Sequence, residues 1–317
     1  MLVLKKNCLS CLYQDGRRME YLFERRMYMY KSKKYSYEYE EYEEGDKSAK
    51  TMVADILADP EFAELEEVVI GDWGDAWDDQ EPGAQDIIDD IIENKEQFSH
   101  IKSLFIGDMD FEECEVSWII QGDYENLFSA MPQLESLTIK GSTALTLGKV
   151  EAPNLQSLEI ICGGLPKEVI QSVRDANLPA LKSLTLYIGV ENYGFDGSIK
   201  DIEELLEKSD FPALENLAIV DSEIQDEICK AVLDSKYMKQ INRLELSMGS
   251  LTDKGGQLLL DKLPEFPNVE CLDVHYHYLS DEMMKKLEAL PIEVDTDEQN
   301  EPDEWDDEIT CWPMLTE

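Results

Sequence analysis

Between Leu65 and Val294 a six-residue pattern, apolar at its first, fourth and sixth positions, returns nine times. Eight copies are strong: LEEVVI (65–70), IKSLFI (101–106), LESLTI (134–139), LQSLEI (155–160), LKSLTL (181–186), LENLAI (214–219), INRLEL (241–246) and VECLDV (269–274). The ninth, ALPIEV (289–294), is degenerate. Successive first positions are 36, 33, 21, 26, 33, 27, 28 and 20 residues apart. Positions four and six alternate as in a β-strand, so Leu104 and Ile106, or Leu184 and Leu186, share a buried face while Ser103, Phe105 and Gly107 point away. Between most strands the spacing turns helical, as in Ile87, Ile88, Ile91 and Ile92, or Ile202, Leu205 and Leu206. Stop and start signals agree. Pro166 falls near a first helical turn, Ser280 precedes Asp281 and Glu282, and prolines 132, 153, 179, 212 and 267 each stand two residues before a strand anchor. The two shortest intervals, 20 and 21 residues, leave too little chain for a full helix, and the arc is expected to be less regular there.

A repeat period of roughly 20–29 residues belongs to leucine-rich repeats, whose units stack because none can bury its apolar face alone. The predicted fold class is α/β: a leucine-rich-repeat solenoid, drawn as a right-handed αβ horseshoe with a parallel sheet on the concave face and helices on the convex face. It holds eight strong repeats and a degenerate ninth. One domain over 35–294 is expected, between an N-terminal arm over 1–34 and a tail over 295–317. Tyr35, Tyr37 and Tyr39 alternate with Ser36, Glu38 and Glu40 and predict a capping strand over 35–42, followed by a short helix near 48–58. The tail is expected to be largely disordered, with Trp305, Trp312 and Leu315 able to fold back as a lid on the last repeat.

Charge narrows the class of partner. Lys and Arg total 28 against 70 Asp and Glu, a net charge of −42. The basic arm carries +6 and residues 293–317 carry −11, which leaves −37 on the body. Such a body repels phosphate backbones and anionic membrane surfaces, so nucleic acid and membranes are excluded as expected partners and a basic protein is favoured. No stretch approaches the ~18 apolar residues of a membrane span. Lys5, Lys6 and Asn7 interrupt any secretion-signal core, and the seven cysteines are odd in number and scattered, which reads as a reducing cytoplasm.

The run FIGDMDFEECEVSWIIQGDYENLFSAMPQLESLTIKG (105–141), together with VVIGDWG (68–74), resembles the signature segment of a group of bacterial cytoplasmic leucine-rich-repeat proteins. The resemblance covers approximately residues 35–294. Some relatives carry a WGR module, which this sequence lacks. The resemblance implies fold and compartment and assigns no activity or cofactor.

Four constellations carry candidate chemistry. The loops GDWGDAWDDQE (71–81) and GDMDFEECEVSW (107–118) leave the same edge of adjacent strands, which gathers Asp72, Asp75, Asp78 and Asp79 beside Asp108, Asp110, Glu112 and Glu113, with Trp73 and Trp77 among them. Carboxylates interleaved with indoles suit a cationic protein partner. The alternative is that Trp73 and Trp118 seal the core and the acids are solvated. Asp108, Asp110 and Glu112 alternate like hard-cation ligands but lack the glycine and distal acid of an EF-hand loop. On the eighth strand Cys271, Asp273, His275 and His277 alternate and could share a zinc ion. Cys8 and Cys11 have no second pair, and His100 is read as a turn residue. The expected function is a non-catalytic protein-interaction scaffold without cofactor. Its concave face is lined by Lys140, Glu159, Tyr187, Asn216, Arg243, Glu245, Asp273 and His275, with the acidic-aromatic loops as a rim. Competing readings are an immunity- or antitoxin-like inhibitor of a basic protein and a metal-dependent hydrolase centred on the eighth strand.

Overall fold

The computed structural model describes residues 30–77, 83–305 and 308–315. Ten strands form one parallel sheet in strict chain order. They are β1 (Ser32–Tyr35), β2 (Glu67–Ile70), β3 (Ser103–Ile106), β4 (Ser136–Lys140), β5 (Ser157–Ile161), β6 (Ser183–Gly189), β7 (Asn216–Ser222), β8 (Arg243–Glu245), β9 (Cys271–Asp273) and β10 (Glu293–Asp295). Each pairs only with its chain neighbours, so the sheet stays open, the layering of a leucine-rich-repeat horseshoe. The fourth positions of the eight strong six-residue signatures stand in register: Val68, Leu104, Leu137, Leu158, Leu184, Leu217, Leu244 and Leu272 form one row. All are almost fully buried. A fully buried leucine contributes roughly 1.5–3 kcal/mol, so this row holds the stack.

The ninth repeat corrects the reading of the sequence. Val294, expected at position six, pairs with Leu272 and so stands at position four. Leu290 belongs to the turn after the preceding helix, its N–H donating to the Leu287 carbonyl. A slip of two residues keeps every side chain on its face, which is why the alternation alone could not fix this register.

Helices cover the other side: α1 (Tyr39–Glu43), α2 (Ala49–Ala58), α3 (Gln85–Glu93), α4 (Glu125–Ala130), α5 (Lys167–Arg174), α6 (Ile199–Lys208), α7 (Gln225–Leu233), α8 (Asp253–Lys262) and α9 (Asp281–Leu287). At five to ten residues they are too short to persist alone and depend on packing against the sheet. The 21-residue interval between β4 and β5 has no helix, as its length predicts, whereas the interval before β10 accommodates the seven-residue α9. Side-chain amides tie successive units together. Gln133 donates to the carbonyls of Phe98 and Ile101, Gln240 to those of Phe211 and Leu214, and Asn268 to those of Met238 and Ile241.

The front cap differs from expectation. The capping strand is β1, three residues earlier and shorter than 35–42, and Tyr39 lies in α1. The boundary drawn at residue 35 therefore cuts a strand. Tyr35 and Tyr37 still act as a cap, their hydroxyls donating at 2.7 Å to Asp59 and Asp55 of the α2 segment. Residues 1–29, including Cys8 and Cys11, lie outside the described residues. At the other end, β11 (Asp303–Trp305) and β12 (Glu308–Thr310) form an antiparallel pair, so the described part of the tail is built rather than irregular.

Candidate functional site

The rim forms where β2 and β3 end. Gly107 has φ +96°, and a Cβ there would lie 2.3 Å from the Lys140 carbonyl oxygen, so only glycine allows the second loop to leave the sheet. The loops touch through the Ile120 N–H, which donates to the Ala76 carbonyl at 2.9 Å. Trp73 is only 1% exposed and belongs to the core. Asp72 is also buried, its carboxylate accepting the Gly74 N–H, and burial raises its pKa. Both leave the rim for the same reason: they close the turn after β2. Asp75 is half-buried at φ +50°. Asp78 and Asp79 lie outside the described residues.

In the second loop Asp108 pairs with Lys34 at 3.3 Å. Asp110 Oδ1 accepts the N–H groups of Glu112 and Glu113, while Glu113 accepts that of Asp110. Of the three carboxylates read as hard-cation ligands, that of Asp110 is thus already shaping a turn and that of Asp108 is paired with a lysine, while Glu112 is exposed. What faces outward is Glu112 and Glu113 with Trp77, Phe111 and Trp118, the three aromatics being 54%, 76% and 55% exposed. Phe111 was not singled out from the sequence, and Trp118 does not seal the core.

Across the outer face of the sheet, position five runs Val69, Phe105, Thr138, Glu159, Thr185, Ala218, Glu245, Asp273 and Asp295. The row changes from apolar to acidic, and its last three strands bring three carboxylates to neighbouring positions. Arg243 lies against them, 2.8 Å from Asp273 and 3.8 Å from Glu245, and also donates to Cys271 Sγ. His275 Nδ1–H donates to Asp273 at 2.6 Å. Among the sequence-derived lining residues Glu159, Tyr187, Glu245, Asp273 and His275 are buried, whereas Lys140, Asn216 and Arg243 are half-buried. Lys140 reaches the Met109 carbonyl, and its burial lowers its pKa.

The proposed zinc set does not assemble. Tyr276 takes φ +51° and breaks the alternation, sending His277 inward. There Nδ1 accepts the Leu279 N–H at 3.1 Å and Nε2–H donates to the Thr296 carbonyl at 2.8 Å. Both nitrogens are committed to backbone. Burial also pushes the Cys271 thiol up to about 11, which disfavours a thiolate. Glu245, Asp273 and His275 remain within 4.8 Å of one another and are the residues that could hold a metal, with the Arg243 cation already among them.

The tail crosses this same face. Trp312 exchanges hydrogen bonds with the Tyr278 hydroxyl, the Met314 N–H donates to the Met248 carbonyl at 2.8 Å, and the Leu315 N–H donates to Asp221 Oδ1 at 2.7 Å. Leu315 packs against an apolar cluster that includes Ile161, Tyr187, Ala218, Val220 and Met248. It therefore reaches back to β7 rather than closing the last repeat. Asp221 and Met248 were not foreseen. The only available signal was an apolar WPML within an acidic tail.

No family model matches the chain, and no curated protein matches it. Among solved structures it is similar to a protein from Bacteroides fragilis, determined as a structural-genomics target, with 43% identity and a TM-score of 0.78. The match covers 84% of this chain and 74% of that one. With that identity sustained over most of both chains, this protein belongs to the same family as the Bacteroides fragilis protein.

Proposed function

We propose that the protein is a non-catalytic, leucine-rich-repeat binding scaffold whose partner is a protein with a basic surface. The observation that carries this reading is the rim: Trp77, Phe111 and Trp118 stand exposed on two adjoining loops beside Glu112 and Glu113. Aromatic side chains anchor interfaces, and like-signed charge around them steers an oppositely charged partner. The net charge of −42 extends that field over the molecule. The same chemistry fits an inhibitor of a basic toxin, which is one form of such a scaffold. The ligand set behind the hydrolase reading narrows, because both ring nitrogens of His277 are hydrogen-bonded to backbone and Glu245, Asp273 and His275 are what remains of it. A cytoplasmic location fits the five described cysteines, all free.

The test is affinity capture with the native chain beside a Trp77→Ala, Phe111→Ala, Trp118→Ala chain of unchanged melting temperature. A basic protein retained by the first and lost by the second supports the reading. Equal retention by both, or a partner of acidic character, defeats it.

A further inference from the structure

The tail is seated as a bound peptide is seated. Over 311–315 exposure alternates, with Trp312 and Met314 outward at 47% and 50% and Pro313 turned inward. The chain bends at Met314, which turns two consecutive N–H groups toward the scaffold. Two of its backbone N–H groups are read by the scaffold, one by the Met248 carbonyl and one by the Asp221 carboxylate, and its leucine enters an apolar cluster. Main-chain hydrogen bonds combined with a side-chain pocket are how protein surfaces recognise peptide segments.

The receiving backbone is held in an uncommon shape. Asp221, Met248, Tyr276 and Glu298 have φ of +56°, +63°, +51° and +62°. Each stands three residues beyond the aligned Ala218, Glu245, Asp273 and Asp295, so four consecutive repeats end in a left-handed, non-glycine residue. Left-handed residues other than glycine are strained and collect at ligand clamps. Here the first two of them supply the acceptors that meet the tail. Asp221 is fully buried, and its second oxygen, Oδ2, has no hydrogen-bond partner. A buried carboxyl oxygen beside a peptide N–H is placed for one more hydrogen bond with whatever lies over it, accepting when ionised and donating when it carries the proton.

We infer that the surface over the ends of β7 and β8 is a recognition site for a short peptide segment bearing a leucine-like side chain, and that residues 311–315 are its resident occupant, displaced when a partner's segment binds. The inference deepens the scaffold reading and rests on it for the existence of a partner. The tail is tethered, so it competes at high effective concentration and holds the site shut against weak ligands.

The test uses the full chain and a labelled peptide of residues 308–316. In the Leu315→Asp chain the tail loses its anchor. This variant is expected to bind the peptide saturably at one site, at least ten-fold more tightly than the native chain does. The same peptide carrying Leu315→Asp is expected not to bind, and adding Asp221→Ala to the variant chain is expected to weaken binding at least ten-fold. A folded Leu315→Asp chain that binds the peptide no better than the native chain overturns the inference. Should that substitution impair folding, amide exchange in the native chain decides: Met314 and Leu315 are expected to exchange at least ten-fold more slowly than in the free peptide, and free-peptide rates overturn it. Failure here leaves the rim untouched, whereas a partner indifferent to the rim substitutions alongside normal peptide binding would sink only the rim.

Discussion

The Leu315 N–H and the Asp221 carboxylate meet at 2.7 Å across 94 residues of sequence. Burial raises this carboxyl well above the ordinary Asp range, with Tyr276 and Cys162 as its titratable neighbours. The tail's N–H groups oppose that rise while its cover excludes water; if the exclusion of water dominates, removing the tail lowers the pKa and docking takes up a proton. The contribution is therefore fully present below the ordinary Asp pKa and lost as pH rises through the elevated one. Protection of the Leu315 amide is expected to fall as pH rises, by at most about ten-fold per unit for one linked proton. Asp221→Asn should flatten that dependence. Protection that instead grows with pH would show that the tail's N–H groups outweigh the exclusion of water.

His277 carries a linkage of opposite sign. Burial lowers its pKa, so it folds as the neutral imidazole. Its stabilisation is complete above the ordinary value of 6.5 and is lost as pH falls from there through the lowered folded value. His277→Ala leaves the Leu279 N–H and the Thr296 carbonyl without their partner, and a cost of roughly 1–3 kcal/mol for each buried group is expected in urea unfolding. A change below ~0.5 kcal/mol would place these groups in water.

The front cap should be separable from the stack. Tyr37→Phe removes the hydroxyl that meets Asp55 and Thr51, for an expected loss of about 1 kcal/mol. Deleting residues 1–44 removes β1 and uncovers the β2 edge, and light scattering should then show concentration-dependent association. A monomeric truncated chain would assign edge protection elsewhere.

The two tryptophans of the first loop should behave differently on replacement. Trp73→Ala empties a core site and is expected to cost roughly 3–5 kcal/mol of stability. Trp77→Ala should leave the melting temperature unchanged and cost about 1–3 kcal/mol in partner affinity, chiefly through the off-rate. Glu112→Gln with Glu113→Gln should slow association at low salt and have little effect at high salt. A salt-independent on-rate would remove charge steering from the account.

The repeat pattern by itself determined the sheet. Positions four and six of the eight strong copies are where the structure buries them, because a period-two alternation leaves a strand one way to face a shared core. The spacing also foretold the missing helix between β4 and β5. What period two does not distinguish is a shift of two, and there the ninth repeat was misplaced. The rim acids and the histidine pair were legible as residue types only. Whether Trp73 faces water, whether Asp110 holds a turn, and which way His277 points depend on backbone turns, such as the left-handed Tyr276, that no periodicity encodes. The seating of Leu315 on Asp221 was beyond local reading altogether, since it joins distant segments through an apolar surface that exists only once β7 and β8 are stacked.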